Sequence, residues 1–344
     1  MAGKKRVLID LLNALALIGN FVVVPGIAYG SQLALGALGV TMVYAVLRFS
    51  NFAHGETMSF GAMVTILVTW ALQARGFGLG PLPTALLALP VGMIVTIGLC
   101  LGTDRLIYRY YREKKAVPVT YLIVSVGVLF FLSGLIRFII GPKDQVFADG
   151  QRFIMKARAF KEMTGLDQGL AIKTSQGITV ITAVVIVALL FWFLNRTRTG
   201  KSMRAYSDNE DLALLSGINP ERVVMITWII TGALAAIAGT LYGLDKGYKP
   251  FTYLGLVLPI FASAIVGGVG NPLGAIAGGF VIAFSELLVT FAYKRVVGYL
   301  TPGDWVPDGL VQLLSTDYKL AVSFFILVIV LLIKPTGIFS GKTL

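Results

Sequence analysis

Apolar stretches of roughly twenty residues recur from one end of this chain to the other, and that is the length a helix needs to cross a bilayer. Their positions predict spans near 7–24, 27–47, 55–73, 82–101, 117–140, 176–194, 222–244, 254–270, 272–292 and 320–334. Asp10 and Asn13 interrupt the first, which makes it a candidate interfacial helix, so the pattern specifies eight to ten transmembrane helices. The class is all-α, a polytopic integral membrane protein with residues 1–344 in a single transmembrane domain. The basic start followed by an apolar run is shaped like a leader. No small-x-small site follows, and a retained first helix is expected.

The polar segments set the orientation. "DRLIYRYYREKK" (104–115) and the 195–222 segment are rich in Lys and Arg and lie an even number of crossings apart. Both are expected in the cytoplasm, together with Lys4, Lys5 and Arg6. The segments 141–175 and 294–319 are then external, although 141–175 is itself basic, with Lys143, Arg152, Lys156, Arg158, Lys161 and Lys173. Within 201–217, Met203, Tyr206 and Leu214 share one side of a short amphipathic helix, and Leu212 and Leu215 adjoin it. Gly217 is a natural stop before the Asn219-Pro220 turn. Such a helix either gives a soluble partner a handle or lies in the interface alone.

Composition agrees with the pattern. The chain is 56% hydrophobic and only 13% charged, about half the charge of a soluble domain. Its formal net charge of +12 suits anionic headgroups of the lipid bilayer rather than nucleic acid. Cys100 is the single cysteine, so an intrachain disulfide is impossible and a Cys/His zinc site is excluded. No catalytic constellation appears, neither G-x-S-x-G nor H-E-x-x-H, and there is no Walker motif. Uphill transport would therefore draw on an ion gradient or on partner subunits.

Three polar interruptions remain as candidate chemistry. "RFSNFAHGETMSFGAM" (48–63) places Arg48, Asn51, His54, Glu56 and Ser59 between two apolar runs. Arg48 marks a membrane boundary, and Asn51, His54 and Glu56 form a helix-interrupting turn in which His54 is expected to organise hydrogen bonds. Gly55 and Gly61 would let a neighbouring helix approach. In "FASAIVGGVGNPLGAIAGGF" (261–280), the spacing of Gly267, Gly268 and Gly270 and the missing Lys-Ser/Thr rule out a phosphate loop. With Asn271 and Pro272 they either break a helix beside a wet cavity or make a tight turn between spans. Glu286 lies midway along an apolar run, where burial is costly, as a pathway group or as a carboxylate bonded to a neighbouring Ser or Thr. Arg137, near a span end, can snorkel.

Four segments, 38–62, 196–223, 261–288 and 324–341, together resemble the shorter, LivH-type permease subunits of branched-chain amino acid ABC transporters, and "TDRLIYR" (103–109) fits as well. The resemblance implies a non-catalytic subunit in the bacterial inner membrane. Its partners would be a longer LivM-type permease, two cytoplasmic ATP-binding subunits that use ATP and Mg, and a periplasmic substrate-binding protein; the chain would bind no cofactor itself. It also implies that Glu210 to Arg222 couple to the ATPase, with Asp211, Asn219 and Pro220 in the segment, Gly217 at the turn and Leu214 and Ile218 as apolar anchors. Residues 51–59 and 267–271 would line the translocation path. Two departures are an extended N-terminus and a long 294–319 connection with Pro302, Trp305 and Pro307, expected to be an ordered external element. They leave the substrate open between branched-chain or other hydrophobic amino acids, urea and short amides. An ion-coupled secondary transporter is the alternative class; its relay would have to use His54, Glu56 and Glu286.

Overall fold

A computed structural model describes residues 2–147, 149–301, 307–334 and 336–339, without the side chains of residues 2–6. The chain is helical almost throughout. Helix α1 (Ala2–Ile18) passes through a π-helical turn (Gly19–Val23) into α2 (Val24–Leu47), and α3 (His54–Ala74) follows. Helix α4 (Ala85–Thr103) continues through a second π-helical turn (Asp104–Tyr108) into α5 (Arg109–Glu113). Next come α6 (Pro118–Ile140), α7 (Ala157–Thr164), α8 (Thr174–Arg196), α9 (Arg198–Asp208) and α10 (Glu210–Leu215). The remaining helices are α11 (Pro220–Lys246), α12 (Thr252–Gly267), α13 (Pro272–Thr290), α14 (Lys294–Leu300) and α15 (Lys319–Ile333). Strands β1 (Phe153–Met155) and β2 (Ile172–Lys173) pair antiparallel on either side of α7.

Among the described residues, eight helical runs are long and apolar enough to cross a membrane, and the 16-residue α12 is a shorter apolar helix. The expected spans 7–24 and 27–47 prove to be one run, Val7–Leu47. The gap between the two expected spans falls at Pro25-Gly26. In the structure, the π-helical turn just before it loosens the backbone where a proline ring would meet the preceding turn, and the helix continues. Helix α1 does not fold back along α2. It packs on α14, while the Asn13 and Asn20 side-chain oxygens accept from the Gln168 and Ala171 amides at 3.0 and 2.8 Å.

The two ends of the bundle differ. At one, here the basic end, Arg109 pairs with Glu221 at 3.0 Å, and Asp104 takes both Arg112 and the Trp228 indole. Both basic loops therefore meet at the same end, as expected from the sequence. The opposite end gathers the 141–173 segment, α14 and α1. The backbones of Gln145 and Tyr248 exchange two 2.8 Å hydrogen bonds, and Gln168 donates to the Tyr299 hydroxyl at 2.8 Å. Helix α1 thus belongs to the opposite end, against the expectation that the N-terminal basic cluster joins the basic loops; the side chains of Lys4, Lys5 and Arg6 lie outside the described residues. At the 294–319 connection, the Tyr293 and Lys294 amides donate to the carbonyls of Val311 and Leu310 at 3.0 and 3.1 Å, while Pro302 and Trp305 lie outside the described residues.

Helix α2 is the axis of the fold. It is apolar all round and buried over nearly its whole length, with α3, α8, α11, α12 and α13 around it. Small residues permit the close approaches: a Cβ at Gly239 would overlap the Met58 carbonyl, and one at Gly278 the Ser263 carbonyl. Large apolar side chains such as Ile94, Phe130, Phe138, Val184 and Phe325 point outward. Such a surface is unfavourable in water and natural against lipid tails.

Candidate functional site

The 48–59 segment turns inside the protein. Arg48 ends α2 with φ at 59°, and its guanidinium donates to the Ser207 carbonyl of α9. Phe49 packs against Tyr108 and Tyr121, with ring centroids 5.3 and 5.0 Å away. Asn51 is buried, and its side-chain oxygen accepts from the Ala53 amide at 3.1 Å and from the Tyr108 hydroxyl at 3.3 Å. Phe52 stacks on Phe261 of α12 at 4.8 Å, and its amide donates to Ser125 of α6 at 3.2 Å. Four elements thus converge on six residues, and α3 begins beside Gly39, about two turns back along α2.

His54 does not play its expected part. The ring faces the Gly36 backbone but makes no hydrogen bond of ordinary geometry, and the imidazole fills the space that Gly39 leaves; a Cβ there would overlap it. Asn51 organises the turn instead, because an amide oxygen accepts twice where a ring nitrogen accepts once. Gly55 lies against Val257 and the Tyr253 carbonyl, and Gly61 lies against Ala236, so both admit a neighbouring helix as expected.

Beyond the turn, Glu56 and Ser59 face the interior of the bundle. The Glu56 carboxyl is buried toward Ser133 and Arg137 of α6, with no hydrogen bond of ordinary geometry. Arg137 lays its guanidinium over the Phe251 ring at 4.0 Å. The Ser59 and Tyr248 hydroxyls bond at 3.2 Å, and burial holds the Tyr248 phenol above its ordinary range, so it remains protonated.

Glu286 is elsewhere. It accepts from the Ser323 hydroxyl, faces Tyr29, and lies 3.9 Å from the Lys319 ammonium. None of these partners belongs to 51–59. Sequence periodicity could not pair Glu286 with Lys319, 33 positions on and across a loop; the one available signal was a lysine heading an apolar run.

The break at 267–271 is a tight turn at the basic end. Gly268 and Gly270 take φ values of 110° and 84°, where a side chain would be strained. Asn271 caps α13 by accepting from the Gly274 amide at 3.2 Å and donates to the Phe339 carbonyl at 3.0 Å. Ile338 donates to the Val266 carbonyl at 2.8 Å, so the C-terminal segment clasps the turn. Gly267 is buried against Gly274. A small hollow joins Asn271 and Pro272 to Asn195 of α8 and Arg204 of α9.

The expected helix over 201–217 is two helices. Asn209, at φ −153°, breaks it and caps α10 by accepting from the Leu212 amide at 3.0 Å. Met203 and Tyr206 of α9 turn inward, whereas Leu212, Leu214 and Leu215 of α10 are 61%, 42% and 86% exposed. Leu215, not Leu214, is therefore the most exposed apolar group in the segment. Ile218 packs partly into the core; Glu210, Asp211 and Arg222 are exposed. Gly217 closes α10 at φ 80°, and Asn219 caps α11 ahead of Pro220, accepting from the Arg222 amide at 3.2 Å. Tyr206 donates to Glu210 across the break at 2.6 Å, and burial raises its phenol so that it stays a donor. The Ser207 hydroxyl donates to the Ala45 carbonyl of α2 at 3.0 Å, which ties α9 to the inner turn.

Known proteins share this sequence over most of its length. It is 33% identical over 319 residues to the high-affinity branched-chain amino acid transport system permease protein LivH of Escherichia coli, covering 91% of this chain and 92% of that one. It is 28% identical over 317 residues to the corresponding protein BraD of Pseudomonas aeruginosa, covering 92% and 94%. A probable LivH of Methanocaldococcus jannaschii is 29% identical over 317 residues, covering 91% and 90%. Residues 22–331 match the branched-chain amino acid transport system permease component, a match that begins beyond α1. The chain belongs to that permease family.

Proposed function

We propose that this chain is the membrane-spanning permease subunit of an ATP-binding-cassette importer for branched-chain or other hydrophobic amino acids. The basic end faces the cytoplasm. There two ATP-binding subunits use ATP and Mg, while a longer LivM-type permease completes the channel and a periplasmic binding protein delivers substrate at the opposite end. The observation that carries the reading is α10, a capped six-residue helix that buries Ala213 and turns Leu212, Leu214 and Leu215 to solvent. Such a surface is costly in water and suits a groove on a soluble partner.

Closure of the ATPases would push α10. The Tyr206–Glu210 bond passes the push to α9, and the Arg48 and Ser207 bonds pass it to the foot of α2 and the buried turn at 49–53. Asn51, His54, Glu56 and Ser59 then shift relative to α6 and α12, opening the path alternately to each side. The turn at Gly267, Gly268, Gly270 and Asn271 lines the cytoplasmic exit, and Glu286 the external entrance. An ion-coupled relay would need Glu286 within reach of His54 or Glu56, and its partners are all elsewhere.

Reconstitution tests the reading. Proteoliposomes holding both permeases and both ATPases, with the binding protein supplied, are expected to accumulate L-leucine only with ATP and Mg, in preference to urea or acetamide. Uptake by the isolated chain without ATP would overturn it.

A further inference from the structure

A cavity of about 270 Å³ opens at the opposite end, lined by α2, α11, α12, α13 and α15. Its walls are of two kinds. Pro25, Leu256, Leu287 and Leu320 are apolar, whereas Glu286, Lys319 and Lys246 bring charge. The Glu286 oxygen facing Lys319 has no hydrogen bond of ordinary geometry, although the Tyr29 hydroxyl faces the carboxyl, and 3.9 Å to Lys319 is too long for one. Lys319 instead holds its ammonium 4.8 Å from the Tyr29 ring, and Lys246 leans on Asp245 at 3.3 Å. Gly255 lines the same space, and a Cβ there would meet no atom within 4 Å. Glycine weakens a helix interior; no packing contact requires it at this position, and what it leaves is room.

We propose that this pocket binds the free zwitterion of an apolar amino acid, with the ammonium on Glu286 and the carboxylate on Lys319 and Lys246. The zwitterion supplies what each group lacks. Its ammonium donates to that Glu286 oxygen, which frees Lys319 to turn toward the carboxylate, while the side chain lies on Leu256, Leu287 and Leu320. No net charge is buried, whereas a lone carboxylate or a lone amine would bring one uncompensated. The proposal rests on the importer reading and names the external stop on its path, where substrate released by a binding protein would first be held.

Labelling tests it. Cys100 is the single cysteine and is buried, so Leu320→Cys places one reactive thiol at the rim. Maleimide labelling of the full chain in phosphatidylcholine nanodiscs is expected to slow several-fold with L-leucine, but not with 4-methylpentanoate or isoamylamine. Glu286→Gln or Lys319→Met should raise the protecting concentration about tenfold or more, the loss of one hydrogen bond to a charged group. Because those variants could also disturb folding, Gly255→Leu provides a separate check: it fills the cavity from a position with no neighbours and should abolish protection in a monodisperse protein. Absence of protection by leucine, or equal protection by all three compounds, would overturn the proposal. So would slow labelling without leucine that appears only when phosphatidylethanolamine is added, which would make the pocket a lipid headgroup site. ATP-driven uptake by the assembled wild-type complex, measured in parallel, separates the two readings. Uptake without protection removes the pocket and leaves the importer; protection without uptake removes the importer and leaves the pocket.

Discussion

Between α2 and α3 the chain turns inside the protein, and between α9 and α10 it turns in the open. Both breaks use an asparagine whose side-chain oxygen accepts from a backbone amide two or three residues on. Asn51 is buried and also receives the Tyr108 hydroxyl, so its turn is locked to a distant helix. Asn209 is exposed and caps only α10, which presents leucines to solvent. The same local chemistry thus serves two ends. Where the asparagine also has a distant partner, the break is a fixed element of the core; where it has only a local one, the break leaves a surface open to another molecule. Arg48 and Ser207 join the two, so a load on the outer break reaches the inner one.

The largest effect should come from crowding the inner turn. Gly39→Leu drives a side chain into His54, and overpacking of this kind costs about 1–3 kcal/mol or more. Folded, monodisperse protein is expected to disappear on size exclusion. Gly39→Ala should be milder and partly rescued by His54→Ala; independent, additive effects of the pair would show that the two residues do not meet.

Asn51→Leu comes next. It leaves the Ala53 amide and the Tyr108 hydroxyl unpaired in the core, at about 1–3 kcal/mol each. Thermal unfolding in detergent should shift down by several degrees, and an unchanged midpoint would remove the distinction between the two breaks. Asn209→Ala should do least, about 1 kcal/mol for a lost cap. Its effect should be confined to faster amide exchange over 210–215, with the global midpoint unmoved. A global loss as large as that of Asn51→Leu would mean that the outer break is core after all.

Much of this was legible in the chain. The apolar runs, the shared end of the two basic loops, the Asn-Pro starts of α11 and α13 and the Gly217 stop all follow from local pattern, because the residues that cause them lie within a turn of one another. What was hidden involves distant partners or a choice between nearly equal local structures. The 201–217 pattern reads as one helix because its apolar positions keep helical spacing through Asn209, yet α9 buries its apolar side and α10 exposes its own. The spans 7–24 and 27–47 read as separate because a π-helical turn that absorbs Pro25 has no sequence signature. Glu286 reads in the sequence as a costly burial and His54 and Glu56 as polar members of a turn, but all three are buried, and their neighbours Gly39, Arg137 and Lys319 come from other helices that no local rule names.

The exposed leucines of α10 are the proposed contact between this permease and an ATPase. Its most direct test is Leu212→Asp combined with Leu215→Asp, with ATPase retention and ATP-driven leucine uptake measured in the reconstituted complex. Removing apolar anchors of this kind costs about 2 kcal/mol or more each, so ATPase retention should fall more than about tenfold and uptake should vanish, while the permease remains monodisperse with an unchanged unfolding midpoint. Full uptake with the ATPases still bound would contradict the claim.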